Sequence, residues 1–504
     1  MTAGAGAGES ANTGDIVIGI DSSTQSTKAI AWSRSGEALA EGRAPIPMST
    51  PRTGWFEQDP GDWTASTATA LNEVTAAIDP ARIAAVAISN QRETAAFLGA
   101  DGAPIGPATL WLDERSKDEI GPLTDALGAD TLHRLTGKPP DVTPVVYRLA
   151  WFRRHQPALL DAAAQIVDVH GRLTGWLTGR IAASWTSADP FGVFDIEEKT
   201  WSEPILNHLG LRKSQFPDLV RPGGLVGTLT ADAARATGLA AGTPVFAGGG
   251  DGQCAGLGVN AARPGVVYLN LGTAQITGAW SDKPRIGPNW RTMSSPTGEG
   301  YFLEGCLRAG TFLVDWFIEN FAGGIPGGPD GAHVFERLAE EAAALPLGAD
   351  GVVVCPYLTG CMDPHWNPAA RASIEGLGPQ HGVAHIYRAI LEALALESAR
   401  CMKAMAEDGM APRRIIAVGG GANNTLWTQM FADASQTPLA VSESVEASAL
   451  GAGISAAIGA GWFDDFETAA AAMCREGAAF EPDPGVRAAW DALSVRQAAA
   501  YRPR

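Results

Sequence analysis

Short apolar, β-branched runs that stop at a turn of Asp, Gly or hydroxyl residues recur along this chain, and they constrain its fold more than any other feature. Ile16-Val17-Ile18-Gly19-Ile20 leads into Asp21 and the turn Ser22-Ser23-Thr24-Gln25-Ser26-Thr27, after which Ala29-Ile30-Ala31-Trp32 is apolar again. This spacing predicts a hairpin whose turn is lined with hydroxyls. Asp62 to Ile78 has helical spacing, and Ile83 to Ile88 predicts a strand that ends in Ser89-Asn90-Gln91-Arg92-Glu93. The design returns in the second half. Thr243 to Ala247 runs into Gly248-Gly249-Gly250-Asp251, and Val266 to Leu271 and Gln275 to Trp280 flank a Gly272-Thr273 turn. Ile415 to Val418 runs into Gly419-Gly420-Gly421, with a helix expected from about Thr425. Strands that end in such turns and pass into helices form an α/β pattern. The halves share this pattern but not their letters. The division is expected between Pro222-Gly223-Gly224 and Val245, giving domains over residues 15–242 and 243–490. No low-complexity linker separates them, so they should pack closely.

A chain of 504 residues suits two large domains. Its 45% apolar and 18% charged residues are those of a folded globular protein. The formal net charge of −18 argues against broad nucleic-acid binding, which relies on basic patches. It does not exclude a nucleotide, because backbone amides, helix N-termini and Mg²⁺ hold phosphates locally. The six cysteines form no CxxC pair, which predicts reduced thiols and a cytoplasmic location. Residues 1–14 have neither a basic nor an apolar segment, so they read as a loose tail and not a signal peptide. Ala447 to Trp462 is too short to span a bilayer and is rich in Gly, Ala and Ser; it predicts a tightly packed buried helix.

Three segments suit phosphoryl transfer, which needs cradled phosphates, a metal, and a base aimed at the attacking hydroxyl. Asp21 beside a hydroxyl-rich turn can hold hydrated Mg²⁺ and donate to phosphate oxygens, although an ordinary Asx-type turn has the same letters. Gly248 to Gln253 lets backbone approach a ligand, with Asp251 able to take a proton from a hydroxyl or merely to cap a helix. Gly419 to Asn424 could pass under a nucleotide, or be a plain strand-to-helix turn.

The order of these segments resembles the FGGY family of carbohydrate kinases, from about Ile16 to about Trp490. Asp21 and its turn look like the family's first phosphate motif, and Asp251 with Gly272-Thr273 like its second. Gly419 to Asn424, with Glu446 to Ala452 after it, looks like the adenosine motif and closing helix. Trp55-Phe56-Glu57-Gln58-Asp59-Pro60 is similar to the family's W-x-E-Q-D-P segment, and Trp111-Leu112-Asp113-Glu114-Arg115 to its W-x-D-x-R segment. The resemblance implies two actin-like (ribonuclease-H-like) domains around a central cleft. It implies Asp251 as general base and Asp21 as the Mg²⁺ residue. Ser23, Thr24, Gln25, Gly272, Thr273, Gly420, Gly421 and Asn424 would then meet ATP, and Arg92, Glu93, Trp111, Asp113 and Asp251 the sugar. Its partners would be ATP and a small sugar or polyol, with no nucleic acid and no membrane; a homodimer is allowed.

The substrate signals diverge. The Asp21 turn, the Trp55 segment and the triple glycine at 419–421 lean towards xylulokinases, whereas Asn90-Gln91-Arg92-Glu93-Thr94 has the pattern of glycerol kinases. Thr143 stands near where glycerol kinases present a Tyr, and Gly360-Cys361-Met362-Asp363-Pro364 replaces a common Gly-Glu-Arg-Thr-Pro segment. A pentulose such as D-xylulose leads, with glycerol or erythritol as the rival. Outside this class stand a non-catalytic sensor, which would not need Asp21, Asp251 and Thr273 intact, and an actin- or chaperone-like ATPase. The ATPase offers no role for the cluster Arg92, Glu93, Trp111 and Asp113.

Overall fold

The strand Ile16–Ser22 lies inside a six-stranded sheet, in a computed structural model that describes residues 14–322 and 332–503. The expected tail falls outside the described residues, Gly14 apart. Across the sheet the order is Leu225–Thr228, Pro244–Gly250, Ile83–Asn90, Ile16–Ser22, Ser26–Trp32, Ala38–Pro45. The three middle strands from Pro244–Gly250 to Ile16–Ser22 are parallel; the other pairs are antiparallel. A second, seven-stranded sheet repeats the scheme. Glu476–Phe480 is its antiparallel edge, Leu439–Ser442, Arg414–Val418 and Val266–Leu271 are parallel, and Gln275–Ser281, Tyr301–Leu307 and Arg291–Ser294 complete a meander. Two copies of one topology thus account for the likeness of the halves, and both expected hairpins are present.

The boundary lies later than expected. Pro244–Gly250 pairs with Ile83–Asn90, so a division before residue 243 would take a strand out of the first sheet. The glycines and the proline-rich stretch near Pro222 form a turn at that sheet's edge, not a link between lobes. Helix Asp251–Gly258 follows directly, and the second sheet begins at Val266.

Alternation along each strand buries both faces. Ile18 and Ile20 pack under Leu71 and Val74 of helix Pro60–Ala77 and under Leu173 and Leu177 of helix Val169–Thr178. Asp59 caps the first of these helices by accepting from the Gly61 amide at 2.7 Å, with Pro60 in its first turn, where no amide is needed. Val17 and Ala87 face the opposite way, onto Leu450 and Ile454 of helix Ala447–Gly459. In the second sheet, Leu269 and Ile415 pack under helices Val383–Glu407 and Thr425–Ser435. Tyr268 and Ile416 pack on the other side, with Ala255, Val259 and Ala447.

Helices Asp251–Gly258 and Ala447–Gly459 are therefore shared between the sheets. They approach closely because glycine leaves room: a Cβ at Gly258 would fall 2.0 Å from the Ala447 carbonyl oxygen, and one at Gly451 1.9 Å from that of Cys254. The buried Gly/Ala helix expected over Ala447 to Trp462 is this element. Residues between Phe97 and Phe216 add a further core of Phe152, Phe191, Phe194 and Trp201. Among the described residues no helix is long and apolar enough to cross a membrane. All six cysteines are free.

Candidate active site

The turn Ser23-Thr24-Gln25 projects from the centre of the first sheet. Ser23 closes it, its amide and hydroxyl both bonding the Ser26 carbonyl, at 3.0 and 2.8 Å. Thr24 is held twice, its carbonyl accepting from Gln58 Nε2 at 2.6 Å and its hydroxyl from Trp111 Nε1 at 2.9 Å. An indole N–H only donates, so the Thr24 hydroxyl keeps its own proton for an acceptor in the cleft. Gln58 Oε1 accepts from Trp63 Nε1 at 2.9 Å and Gln91 Nε2 at 3.0 Å, which fixes its amide towards the turn. Gln25 is exposed at the tip.

Asp21 and Asp251 end neighbouring paths into the cleft. Asp21 accepts from Ser89 Oγ at 2.9 Å. Burial, and then the charge of Asp251, pushes its carboxyl up to about 7. Two carboxylates that repel one another suit a divalent cation together with phosphate oxygens; Mg²⁺ needs only one or two carboxylates in such sites. Among the described residues no group of three or more His, Cys, Asp or Glu offers an all-protein cage.

Asp251 opens helix Asp251–Gly258, and its side chain is 36% exposed, so it reaches the cleft. Arg92 Nε donates to its Oδ1 at 2.9 Å, and the Gly252 amide to the same oxygen at 2.8 Å. Burial pushes its carboxyl above the ordinary carboxylate range; Arg92 and the Gly252 amide pull it down, and Glu93 and Glu304 push it up. The glycines around it make room for Arg92, since a Cβ on Gly250 would lie 2.5 Å from Arg92 Cδ.

Arg92 and Glu93 do not stand alone. Arg92 Nη1 bonds Glu304 Oε2 at 2.8 Å and Gln253 Oε1 at 3.2 Å. Glu93, in a left-handed backbone at φ 48°, accepts from Arg291 Nη1 at 2.7 Å, and Arg291 also pairs with Glu304. Burial pushes the Glu304 carboxyl up, but Arg92 and Arg291 overcome it and bring it down to about 2. Arg291 and Glu304 escaped the sequence reading. The signal was present as a lone charge in each apolar strand, Tyr-Phe-Leu-Glu-Gly-Cys-Leu over Tyr301–Leu307 and Arg-Thr-Met-Ser over Arg291–Ser294.

Asp113 stands apart from this cluster, which corrects its expected place among the sugar contacts. Its side chain is fully buried, accepting from the Phe56 amide at 2.8 Å and from Arg115 at 2.7 and 2.8 Å. Arg115 bonds Glu57 at 2.6 Å and lies 3.9 Å from the Trp55 ring centre. Asp113 thus ties together the two tryptophan motifs behind Trp111, which itself stays at the cleft.

Gly272 and Thr273 form the turn from Val266–Leu271 into Gln275–Ser281, with Thr273 exposed. The Gly272 carbonyl accepts from the Thr311 amide at 2.9 Å, fastening the turn to helix Thr311–Phe321. Asn270 lies between this turn and Gly419, whose φ of 95° suits only glycine. A cavity of about 640 Å³ follows, lined by Gly420, Gly421, Asn424, Tyr387, Thr311 and Trp427 among others. A Cβ on Gly420 would meet open space, whereas one on Gly421 would strike Trp427 at 2.6 Å. Asn424 caps helix Thr425–Ser435 through the Trp427 amide at 3.1 Å and donates to Tyr387 Oη at 3.1 Å. Its amide shapes the cavity wall. The turn and the cavity follow the paired strands Val266–Leu271 and Arg414–Val418, so they lie side by side at one end of the second sheet.

Comparison with known proteins agrees with this geometry. The model of the N-terminal domain of the FGGY family of carbohydrate kinases matches residues 16–258, and that of its C-terminal domain matches residues 267–460. The chain is 29% identical over 470 residues to the xylulose kinase of Bacillus subtilis (strain 168), covering 92% of each chain. It is 30% identical over 476 residues to the glycerol kinase of Aromatoleum aromaticum, covering 90% of this chain and 91% of the other. The crystal structure of xylulose kinase from Rhodospirillum rubrum superposes with a TM-score of 0.88 at 28% identity, over 96% of this chain and 98% of that one.

Proposed function

The chain belongs to the FGGY family of carbohydrate kinases, and on that premise we propose that it transfers the γ-phosphoryl group of ATP to a hydroxyl of a pentulose such as D-xylulose. The observation that carries the reading is Asp251, a partly exposed carboxylate oriented by Arg92 and close enough to Asp21 for their charges to interact. Asp251 accepts the proton of the acceptor hydroxyl as that oxygen attacks the γ-phosphorus. Burial and its carboxylate neighbours hold it above the ordinary carboxylate range, which makes it a better acceptor near neutral pH. The Thr24 hydroxyl donates towards phosphate oxygens from the first lobe, and the Gly272-Thr273 turn meets them from the second. Adenosine occupies the cavity beside Gly420, where the absence of a side chain leaves room. Mg²⁺, with Asp21 as its protein ligand, would neutralise charge on the β- and γ-phosphates.

The sugar lies between Trp111, whose indole face packs against C–H groups, and the Arg92–Asp251 pair. Xylulose kinases among the relatives and the Asp21 turn support a pentulose. A second reading, a polyol such as glycerol, has its own support in Asn90 to Thr94 and in the glycerol kinase relative. Against it, the Glu93 carboxylate is engaged by Arg291, and Thr143 bonds Asp141 at 2.8 Å where glycerol kinases present a Tyr. ADP release measured over a panel of pentuloses, hexuloses, aldonates and polyols tests both readings. D-xylulose is expected to give the highest kcat/KM. Preference for glycerol or erythritol would overturn the pentulose reading, and no sugar-dependent ADP release would overturn the kinase mechanism.

A further inference from the structure

We propose that Glu304 and Arg291, facing each other on adjacent strands of the second sheet, are positioning residues that hold Arg92 against Asp251. The inference rests on Asp251 being the base. Five charges alternate in sign along one chain of contacts: Glu93, Arg291, Glu304, Arg92, Asp251. Arg291 and Glu304 are direct cross-strand partners, so their register is set by the sheet. Glu93, Arg92 and Asp251 come from the first lobe's strand ends. Each oxygen of Glu304 serves one guanidinium, Oε1 taking Arg291 and Oε2 taking Arg92.

Glu304 is fully buried, and so is most of the chain; only the Asp251 end opens to the cleft. A buried ion pair is seldom more stabilising than apolar residues of the same volume, so stability alone gives little reason for four charges here. Charge-assisted bonds do fix direction. With Nη1 anchored on Glu304, the Arg92 fork has one orientation that brings Nε to Asp251 Oδ1. The backbone is shaped around that fork: a Cβ on Gly252 would lie 2.8 Å from both Arg92 Nη2 and Glu304 Oε2. Asp251 Oδ1 is thereby occupied, which leaves Oδ2 to meet the acceptor hydroxyl. The second lobe thus dictates which oxygen of a first-lobe carboxylate acts.

Glu304→Gln keeps the shape and removes the charge that anchors Arg92. It is expected to lower kcat by about 10–100-fold, the effect of a small misplacement of a reacting group, with KM for ATP within about twofold of the unmodified protein. Arg291→Lys keeps the charge but not the planar fork, and should fall between the two; it decides the question should Glu304→Gln not fold. Near-normal kcat in these variants, with turnover lost in Asp251→Asn, would overturn the positioning role alone. Parallel loss of kcat and ATP binding would make the pair merely structural and overturn it too. Near-normal kcat in Asp251→Asn would instead overturn the base.

Discussion

At the scale of single residues, Asp251 sits under opposed influences, and its substitution separates chemistry from architecture. Asp251→Asn keeps the volume and the bond from the Gly252 amide but cannot accept a proton. General bases contribute about 10²–10⁴-fold, so kcat should fall by that range while ATP affinity holds or rises with one negative charge removed near the phosphates. Were Asp251 only a helix-terminal residue, the change would cost about 1 kcal/mol of stability and leave turnover intact; kcat, nucleotide affinity and Tm on one variant distinguish these. The strand-end letters made the turn after Asp21, the helix start at Asp251 and the glycine turns legible, because special backbone conformations leave local marks. Arg291 and Glu304 were not legible: their partners lie about 200 positions away on another sheet. Asp113 misled for the complementary reason. A motif of Trp, Asp and Arg looks like a binding surface, yet its Asp and Arg serve each other behind the tryptophan.

At the scale of elements, the pairing of helices Asp251–Gly258 and Ala447–Gly459 depends on backbone-to-backbone approach. Gly451→Ala places a methyl on the Cys254 carbonyl and must force the helices apart. Overpacking of this kind typically costs about 1–3 kcal/mol, which denaturant melts would read as a lower midpoint. An unchanged midpoint would mean the contact is loose. Helix Val169–Thr178 carries a pH dependence of its own. Asp168 caps it, accepting from the Gly171 amide at 2.6 Å, and burial raises its carboxyl to about 7. A raised carboxyl stabilises the fold fully below its unfolded value, near 3.9, and that contribution is lost as pH rises through about 7. Asp168→Asn resembles the neutral form at every pH, so its stability relative to the parent should improve between pH 5 and pH 8, by about 2–3 kcal/mol. A difference that does not vary with pH would show that Asp168 is ionised in the folded protein throughout this range. Short apolar runs and helical spacing made the central strands of both sheets and helices Pro60–Ala77, Thr425–Ser435 and Ala447–Gly459 readable, but not the edge strands such as Ala38–Pro45 and Glu476–Phe480. The domain boundary was not readable, because a Gly/Pro turn at a sheet edge has the letters of a linker. The core between Phe97 and Phe216 was also missed, since its helices run to no more than 11 residues and leave little periodicity to read.

At the scale of the molecule, the lobes meet through contacts of two kinds. The glycine-lined helix pair is apolar and close. Polar contacts join them as well: the ion-pair chain from Glu93 to Asp251, Lys28 with Glu446, Lys138 Nζ on the Thr292 carbonyl at 2.8 Å, and Arg308 at 3.4 Å from both oxygens of Asp141. The cavity beside Gly420 is lined by the second lobe alone, whereas Asp21 and Thr24 belong to the first. A γ-phosphate can therefore be gripped from both sides only when the lobes come together at the nucleotide end, with the helix pair as the axis. Polar contacts as long as that of Arg308 with Asp141 leave room to shorten as they do so. Binding of sugar with a non-hydrolysable ATP analogue should then reduce the radius of gyration measured by small-angle scattering, more than either ligand alone. If the lobes close only around a bound acceptor, ADP release without sugar should be slower by at least about 10²-fold. Both measurements are needed. An unchanged scattering profile in a sample shown to bind both ligands would exclude closure, and rapid sugar-independent hydrolysis would show that the lobes assemble the site without the acceptor.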